Sequence, residues 1–113
     1  MHELSIAQAI VDVVLEEASK ADARRIASVT LTIGELSGVV EEQLLFCLPV
    51  VAKDTAVEGA KIVVERVEGQ GFCRSCGRPY HMTHLLDPCP ECGEYTSDVR
   101  QGRQLAVASL EVE

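Results

Sequence analysis

Cysteine is the residue whose spacing in this chain points most directly to chemistry. Four of the five cysteines form two C-x2-C pairs that are separated by twelve residues: Cys73 with Cys76, and Cys89 with Cys92. A C-x2-C turn lets two thiolates point at one ion, and two such turns supply four sulfurs at about 2.3 Å in a tetrahedron. A glycine follows each pair, which suits a chain that reverses there with positive φ. Since four thiolates leave no position open for a substrate, the spacing predicts one structural zinc ion per chain.

A disulfide framework or a redox motif would use the same residue type. Disulfide frameworks are typical of small secreted chains, but no signal peptide opens this sequence and a fifth cysteine, Cys47, has no partner. A thioredoxin-like motif stands alone at a helix start and is not duplicated at this interval. Zinc is therefore the preferred interpretation. Cys47 lies in an apolar run over residues 44–48 and is expected to be a small buried side chain.

The acidic balance of the chain limits its partners. The 113 residues include 18 acidic and 10 basic side chains, which gives a formal net charge of −8. Nucleic-acid binding needs a basic stripe, which the sequence lacks, so the acidic surface fits cations or basic protein surfaces better. No apolar stretch approaches the length that spans a bilayer, and no membrane association is expected. The composition predicts a soluble cytoplasmic protein with one modest domain and a metal-stapled module.

Two stretches have the apolar spacing of helices. The first covers about residues 4–20, so that His2 and Glu3 should lie at or just before its first turn. The second covers about residues 41–51. Pro49 interrupts this second pattern, and because proline lacks a backbone donor we expect a kink or an early end there.

Three stretches read as strands, over residues 28–33, 61–68 and 104–112. The last is too short to fold alone and should return to the first sheet, and its slipping alternation indicates a bulge or burial on both faces. The predicted fold class is α+β, a small three-stranded sheet with two helices plus an inserted zinc ribbon with four cysteine ligands. The expected domains are residues 1–69 with 104–113, and the zinc ribbon at 70–103.

The N-terminal residues bring several metal donors close together. Met1 is expected to remain before the bulky His2, with a free α-amino group. That amine, the His2 amide nitrogen, the His2 imidazole and the Glu3 carboxylate lie within a few bonds of one another, and such nitrogen donors suit Ni(II) or Cu(II). Many chains begin with Met-His by chance, so these residues alone leave both a metal site and an incidental histidine open.

The remaining histidines, His81 and His84, lie between the two cysteine pairs. The simpler interpretation is that both are exposed residues of a ribbon loop. The alternative is that either enters an alternate or pH-dependent zinc shell, because imidazole binds zinc and protonates near neutral pH. No serine-hydrolase elbow, P-loop or dinucleotide fingerprint occurs in the sequence, so we do not expect an enzyme.

Several motifs taken together resemble the HypA/HybF family of hydrogenase maturation factors. They are Met1-His2-Glu3 at the start, I-G-E-L-S at 33–37, E-G-A at 58–60, and the two cysteine pairs. They stand in the family's order, at the family's usual length, and cover essentially the whole chain. A zinc ribbon alone is unspecific, but its combination with an N-terminal Met-His-Glu is specific.

The resemblance implies a metallochaperone and not a catalyst. It implies Ni(II) bound at His2 with help from the terminal backbone and Glu3, and structural zinc on the four paired cysteines. It implies a HypB-type GTPase as partner and delivery to the large subunit of [NiFe]-hydrogenase, or in some bacteria to urease and its maturation proteins. Some members place an aspartate near the nickel where this chain has V-V-E-E, so Glu41, Glu42 or no side chain takes that place. The alternative function is a zinc-ribbon adaptor without nickel delivery.

Overall fold

The described part of the chain folds into two helices and six strands, and the strands form two small sheets. The computed structural model describes residues 2–113. In chain order the elements are α1 (Glu3–Lys20), β1 (Ile26–Gly34), α2 (Glu41–Ala52), β2 (Lys61–Val67), β3 (Gln70–Cys73), β4 (Arg78–His81), β5 (Val99–Gln101) and β6 (Leu105–Val112). One sheet has the order β2-β1-β6 and the other the order β4-β3-β5. The predicted α+β class and the return of the last strand to the first sheet are confirmed.

Residue contacts group the chain into two compact units. The helical unit holds residues 2–32, Val39–Glu65 and Ala106–Glu113. The ribbon unit holds Ile33–Gly38 and Arg66–Leu105, and therefore the four paired cysteines and the sheet of β3, β4 and β5. That sheet is antiparallel between β3 and its neighbours. The sequence-based domain division, 1–69 with 104–113 and 70–103, stays a prediction.

The two helices follow their predicted bounds and pack on each other inside the helical unit. Helix α1 has His2 as its N-cap and buries a stripe at helical spacing: Ala7, Ile10, Val11, Val14 and Ala18. Helix α2 continues through Pro49 to Ala52, so it does not end early at the proline, and the alternative expectation of a kink there stays a prediction. Pro49 is exposed, whereas Leu44 and Leu48 are buried, and packing of the buried side holds the last turn despite one missing backbone bond. Among residues 2–113 no helix has both the length and the apolar character needed to cross a membrane.

Strand β1 is the central strand of its sheet and is the most deeply buried. It buries Ile26, Val29, Leu31 and Ile33. Strand β6 lies at one edge, and its slip in alternation does not reflect burial on both faces, because Ala108 and Ser109 are both exposed. Burial on both faces is therefore the wrong explanation, since an edge strand of a small sheet has little structure to cover its second face, and a bulge in this strand stays a prediction.

Three glycine backbones approach closely in the ribbon unit. The Gly34 N–H donates to the Gln104 carbonyl and the Leu36 N–H donates to the Gly102 carbonyl, both at 2.6 Å. Gly102 has a φ of +108°, and a Cβ at this position would lie 2.5 Å from the Cα of Gly69. Glycine is thus required here both by the left-handed backbone and by the close approach.

We expect Gly102→Ala to destabilise the protein more than Gly59→Ala. Gly59 also has a positive φ, +79°, but a Cβ there would meet nothing within 4 Å. The Gly59 variant should therefore lose about 1–2 kcal/mol from backbone strain alone, and the Gly102 variant should add the clash with Gly69. Urea unfolding of the zinc-loaded proteins measures both losses, and equal losses would contradict the close approach.

Candidate metal centres

Two tight turns place the four paired cysteines. Cys73 ends β3, and the Gly77 N–H donates to the Cys73 carbonyl at 2.8 Å. The second turn repeats this bond, from the Gly93 N–H to the Cys89 carbonyl at 2.8 Å. Both glycines have positive φ, +69° and +76°, as the sequence predicts.

The turns bring four sulfurs together at metal-binding distances. All four Sγ atoms lie within 4.8 Å of one another. The Cys73–Cys92 sulfurs are 3.5 Å apart and the Cys76–Cys89 sulfurs 3.9 Å. A tetrahedron with metal–sulfur bonds of about 2.3 Å has edges of about 3.8 Å, so the donor set fits a zinc ion. Within residues 2–113, this is the only group of three or more histidine, cysteine or carboxylate side chains close enough to hold a metal.

Hydrogen bonds shift the pKa values of these thiols in opposite directions. The neighbouring Cys92 sulfur, followed by burial, raises the pKa of Cys76 to about 12. The backbone amides of Cys92 and Glu91 instead lower the pKa of Cys89 to about 7, because they stabilise its thiolate. Four sulfurs at these distances cannot all ionise without a cation, so a metal ion that binds here displaces protons.

A small apolar core supports the cysteines from inside the ribbon unit. Leu36, Tyr80 and Met82 pack with the buried Cys73 and Cys89. The Tyr80 hydroxyl donates to the Asp87 carbonyl at 2.9 Å, which ties the loop before the second cysteine pair to β4. The two turns are therefore held in place by packing as well as by any ion they bind.

The two ribbon histidines lie outside the cysteine group. His81 Nε2 is 2.7 Å from Glu35 Oε1, and the same oxygen accepts a 2.9 Å bond from the Gly69 N–H. His84 lies beside Thr83 and Asp87 and is exposed. Both histidines are exposed, as expected, but only His84 lies in a loop. His81 is the last residue of β4 and pairs with Gln70 of β3, so the expectation of a loop residue is wrong for it. An alternate zinc shell that includes either histidine stays a prediction.

The carboxylate of Glu35 links three segments of the ribbon unit: the end of β1, the turn before β3, and β4. The Gly69 amide and then the His81 ring lower the pKa of Glu35 from its ordinary 4.5. The bond to Glu35 raises the pKa of His81 above its ordinary 6.5, and Glu68 and Asp87 act in the same direction. The pair is strongest where Glu35 is ionised and His81 is protonated.

We expect the contribution of this pair to stability to fall as the pH rises above about 6.5. The folded-state pKa of His81 is raised, so its contribution is complete below the unfolded value and is lost as pH rises through the folded one. The carboxylate has the opposite sign, and its contribution is lost as pH falls below 4.5. Thermal melting of wild type beside His81→Ala, with His84→Ala as control, should show a difference at pH 6 that narrows by pH 8. A constant difference would contradict the role of the pair.

The second candidate site lies at the start of α1. His2 is exposed and forms the N-cap, and its carbonyl accepts the 3.1 Å bond from Ile6 that opens the helix. The first amides of a helix have no partners within it, so they remain available to a ligand. The Met1 amine, expected among the donors, lies outside the described residues.

Glu3 has a more structural position than the sequence suggests. It is only 6% exposed, and its Oε2 accepts a 3.3 Å bond from the N–H of Val40, the N-cap of α2. A carboxylate at this position also interacts favourably with the positive, N-terminal end of the α2 dipole. In this conformation the Glu3 side chain joins the starts of the two helices rather than facing solvent.

His2 lines an open cleft of about 730 Å³ in the helical unit, hereafter the His2 cleft. Its walls include Leu4, Val40, Glu42, Phe46 and Cys47. Of the two glutamates left open by the sequence, Glu42 lines the same cleft as His2. Cys47 is half-buried rather than buried, which corrects the expectation from its apolar run. The signal that could have revealed this is the run itself, since a helix that is apolar on all sides cannot bury every side in so small a unit.

Comparison with known proteins gives consistent matches over the whole chain. Residues 1–112 match the family model described as hydrogenase/urease nickel incorporation, metallochaperone, hypA. The hydrogenase maturation factor HypA of Geobacter metallireducens is 46% identical over 113 residues, which cover 100% of both chains. The factor of the same name from Chlorobaculum tepidum is 38% identical over the same length. The solution structure of the Ni metallochaperone HypA from Helicobacter pylori matches with a TM-score of 0.69 at 23% identity, covering 99% of this chain and 97% of that one. This last likeness concerns the fold.

Proposed function

Because this chain belongs to the HypA family of hydrogenase maturation factors, we propose that it is a nickel metallochaperone that binds Ni(II) at its N-terminus and delivers the ion to [NiFe]-hydrogenase. The observation that carries the proposal is the position of His2. His2 is exposed at the N-cap of α1 and lines an open cleft. An ion bound there is accessible to a partner and can be released.

The donors at this terminus suit nickel. The imidazole of His2 and the neighbouring backbone nitrogens form a nitrogen-rich set, which favours a planar Ni(II) complex over hard ions such as Mg²⁺. The Glu3 carboxylate supports the site by holding the Val40 amide. Glu42 is the acidic side chain of this cleft that is free to approach the ion from solvent.

We assign the ribbon a structural zinc ion on Cys73, Cys76, Cys89 and Cys92. The sulfur spacing and the two buried members of the set support this assignment. Zinc with four thiolates has a closed shell, so it stabilises the ribbon and supplies no open position for chemistry. The ribbon then acts as a rigid surface that is separate from the exchangeable nickel.

The remaining parts of the proposal concern the partner proteins and the cellular compartment. A HypB-type GTPase, the large subunit of [NiFe]-hydrogenase and, in some bacteria, urease maturation proteins are the proposed partners. The maturation-factor family supports a delivery role rather than catalysis. We propose that delivery takes place in the cytoplasm.

Two measurements test this function. Calorimetric titration of Ni(II) into untagged, zinc-loaded protein should give saturable binding near one equivalent, and a Gly-Ser extension before Met1 should abolish it. Hydrogenase large subunit isolated from a strain that lacks this chain should contain little nickel until the untagged chain is restored. Equal nickel binding by the extended and untagged proteins would support the zinc-ribbon adaptor instead.

A further inference from the structure

A second cavity of the helical unit has no role in the proposed function. It has a volume of about 140 Å³ and is lined by residues of α1, β1, α2, the start of β2 and the loop that joins α2 to β2. The described residues that line it are isoleucine, valine, leucine, proline, alanine and glycine. None of these is charged and none has a hydrogen-bonding side chain. The cavity therefore offers a water molecule few of the polar partners that it needs.

The cavity has a buried inner wall and an opening to solvent. Val11, Val14 and Val29 line it and are each at most 1% exposed. Pro49 and Gly59 also line it but are exposed, so a small molecule can enter beside them. The opening is thus bordered by two features that the nickel function leaves unexplained, the proline inside α2 and the glycine of the E-G-A sequence. A Cβ at Gly59 would meet nothing within 4 Å, which leaves this side of the opening clear.

The loop between α2 and β2 forms one wall of the cavity and is held by its own hydrogen bonds. The Ala60 N–H donates to the Val57 carbonyl at 2.9 Å, and the Ile26 N–H ties the Ala56 carbonyl to the start of β1 at 2.9 Å. Val57 and Ala60 line the cavity, and Val57 is buried. The wall is therefore formed before any ligand arrives, and a preformed site loses little free energy to ordering when it binds.

We propose that this cavity binds a small neutral apolar molecule with about the volume of a benzene ring. An apolar cavity of about 150 Å³ that was engineered into another protein stays dry and binds benzene or xenon. The cavity is well below the roughly 300 Å³ at which sites for drug-sized ligands begin. Since none of its lining residues is charged, an ion or a polar molecule would lose its hydration without gaining a partner. No described residue lines both this cavity and the His2 cleft, so the proposal does not depend on nickel binding.

Titration of benzene into the untagged, zinc-loaded protein tests the site, with the methyl NMR signals as the readout. Benzene should shift the signals of Val14, Val29 and Val57 saturably, with a dissociation constant of roughly 1 mM or below. It should also raise the melting temperature, because it binds only the folded chain. Ala52→Leu should weaken binding about tenfold or more, since Ala52 lines the cavity and the larger side chain occupies its space. Ala9→Leu is the matched control, because it makes the same change at an exposed position of α1, and it should bind as wild type does.

Three kinds of result would overturn the site. The first is an absence of any saturable response of the wild-type methyl signals to benzene. The second is a set of shifts confined to methyl groups outside the cavity, such as Leu4 and Val40 of the His2 cleft. The third is wild-type affinity in a folded Ala52→Leu protein. Magnetisation transfer from benzene protons to the Val14 and Val29 methyl groups of wild type locates the ligand without any variant, so the test holds even where Ala52→Leu does not fold.

Discussion

Cys73→Ala should reduce the zinc content from one equivalent to nearly none and unfold the ribbon unit. The substitution removes one of four thiolates, and Cys73 is also a buried member of the ribbon core. Structural zinc in small domains contributes about 10–16 kcal/mol of apparent binding free energy. This binding free energy is comparable to or larger than the free energy of unfolding of a typical domain, which is about 5–15 kcal/mol. The ribbon unit should therefore unfold when the zinc ion is lost.

The positions of the tyrosines allow unfolding of the ribbon unit to be measured separately from unfolding of the helical unit. Both tyrosines of the chain, Tyr80 and Tyr95, lie in the ribbon unit, and the chain has no tryptophan. Both helices lie in the helical unit. Near-ultraviolet circular dichroism of Cys73→Ala should therefore lose its tyrosine signal, whereas much of the helical signal at about 222 nm should remain.

Cys47→Ala is the matched control for this experiment. It removes a half-buried thiol that does not belong to the cysteine group of the described residues. This variant should keep one zinc equivalent and the wild-type tyrosine signal. A full zinc equivalent in Cys73→Ala, with an unchanged tyrosine signal, would show that the four-sulfur assignment is wrong.

Local patterns in the sequence predict most of the fold and the cysteine cluster. A C-x2-C turn is a short-range structure, so its spacing alone determines that Cys73 and Cys76 point the same way. The amphipathic stripe of α1 likewise depends only on residues three and four apart. Pro49 shows the limit of local reasoning, because the packing of α2 on α1 overrides the tendency of proline to end a helix.

The features that local patterns miss depend on tertiary structure. Glu35 and His81 are 46 residues apart and meet only because three segments of the ribbon unit converge. The His2 cleft requires the first turns of α1 and α2 to lie side by side, with Glu3 bonded to Val40. No periodicity in either helix alone indicates that Phe46 would remain exposed while Leu44 and Leu48 are buried. Which apolar side chains of α2 remain exposed depends on how α1 packs against it.

His2→Ala should abolish nickel binding while leaving both the fold and the zinc intact. The imidazole is a proposed ligand, and its loss should cost more than the roughly 10- to 100-fold in affinity that follows removal of a ligand's supporting partner. The side chain makes no capping bond to α1 and is exposed, so stability should change by less than about 0.5 kcal/mol. Calorimetric titration with Ni(II) measures the nickel affinity, zinc analysis measures the zinc content, and thermal melting measures the stability.

His84→Ala provides the comparison for His2→Ala, because it removes an exposed imidazole from the ribbon unit instead. Its nickel affinity should equal that of wild type, since histidine side chains in general are not expected to hold the ion. The absorption of the nickel complex should likewise persist in His84→Ala and vanish in His2→Ala, because planar nitrogen coordination determines that spectrum. Nickel binding that survives in His2→Ala but is lost in His84→Ala would move the site from the N-terminus to the ribbon. The two variants therefore decide which unit carries the cargo.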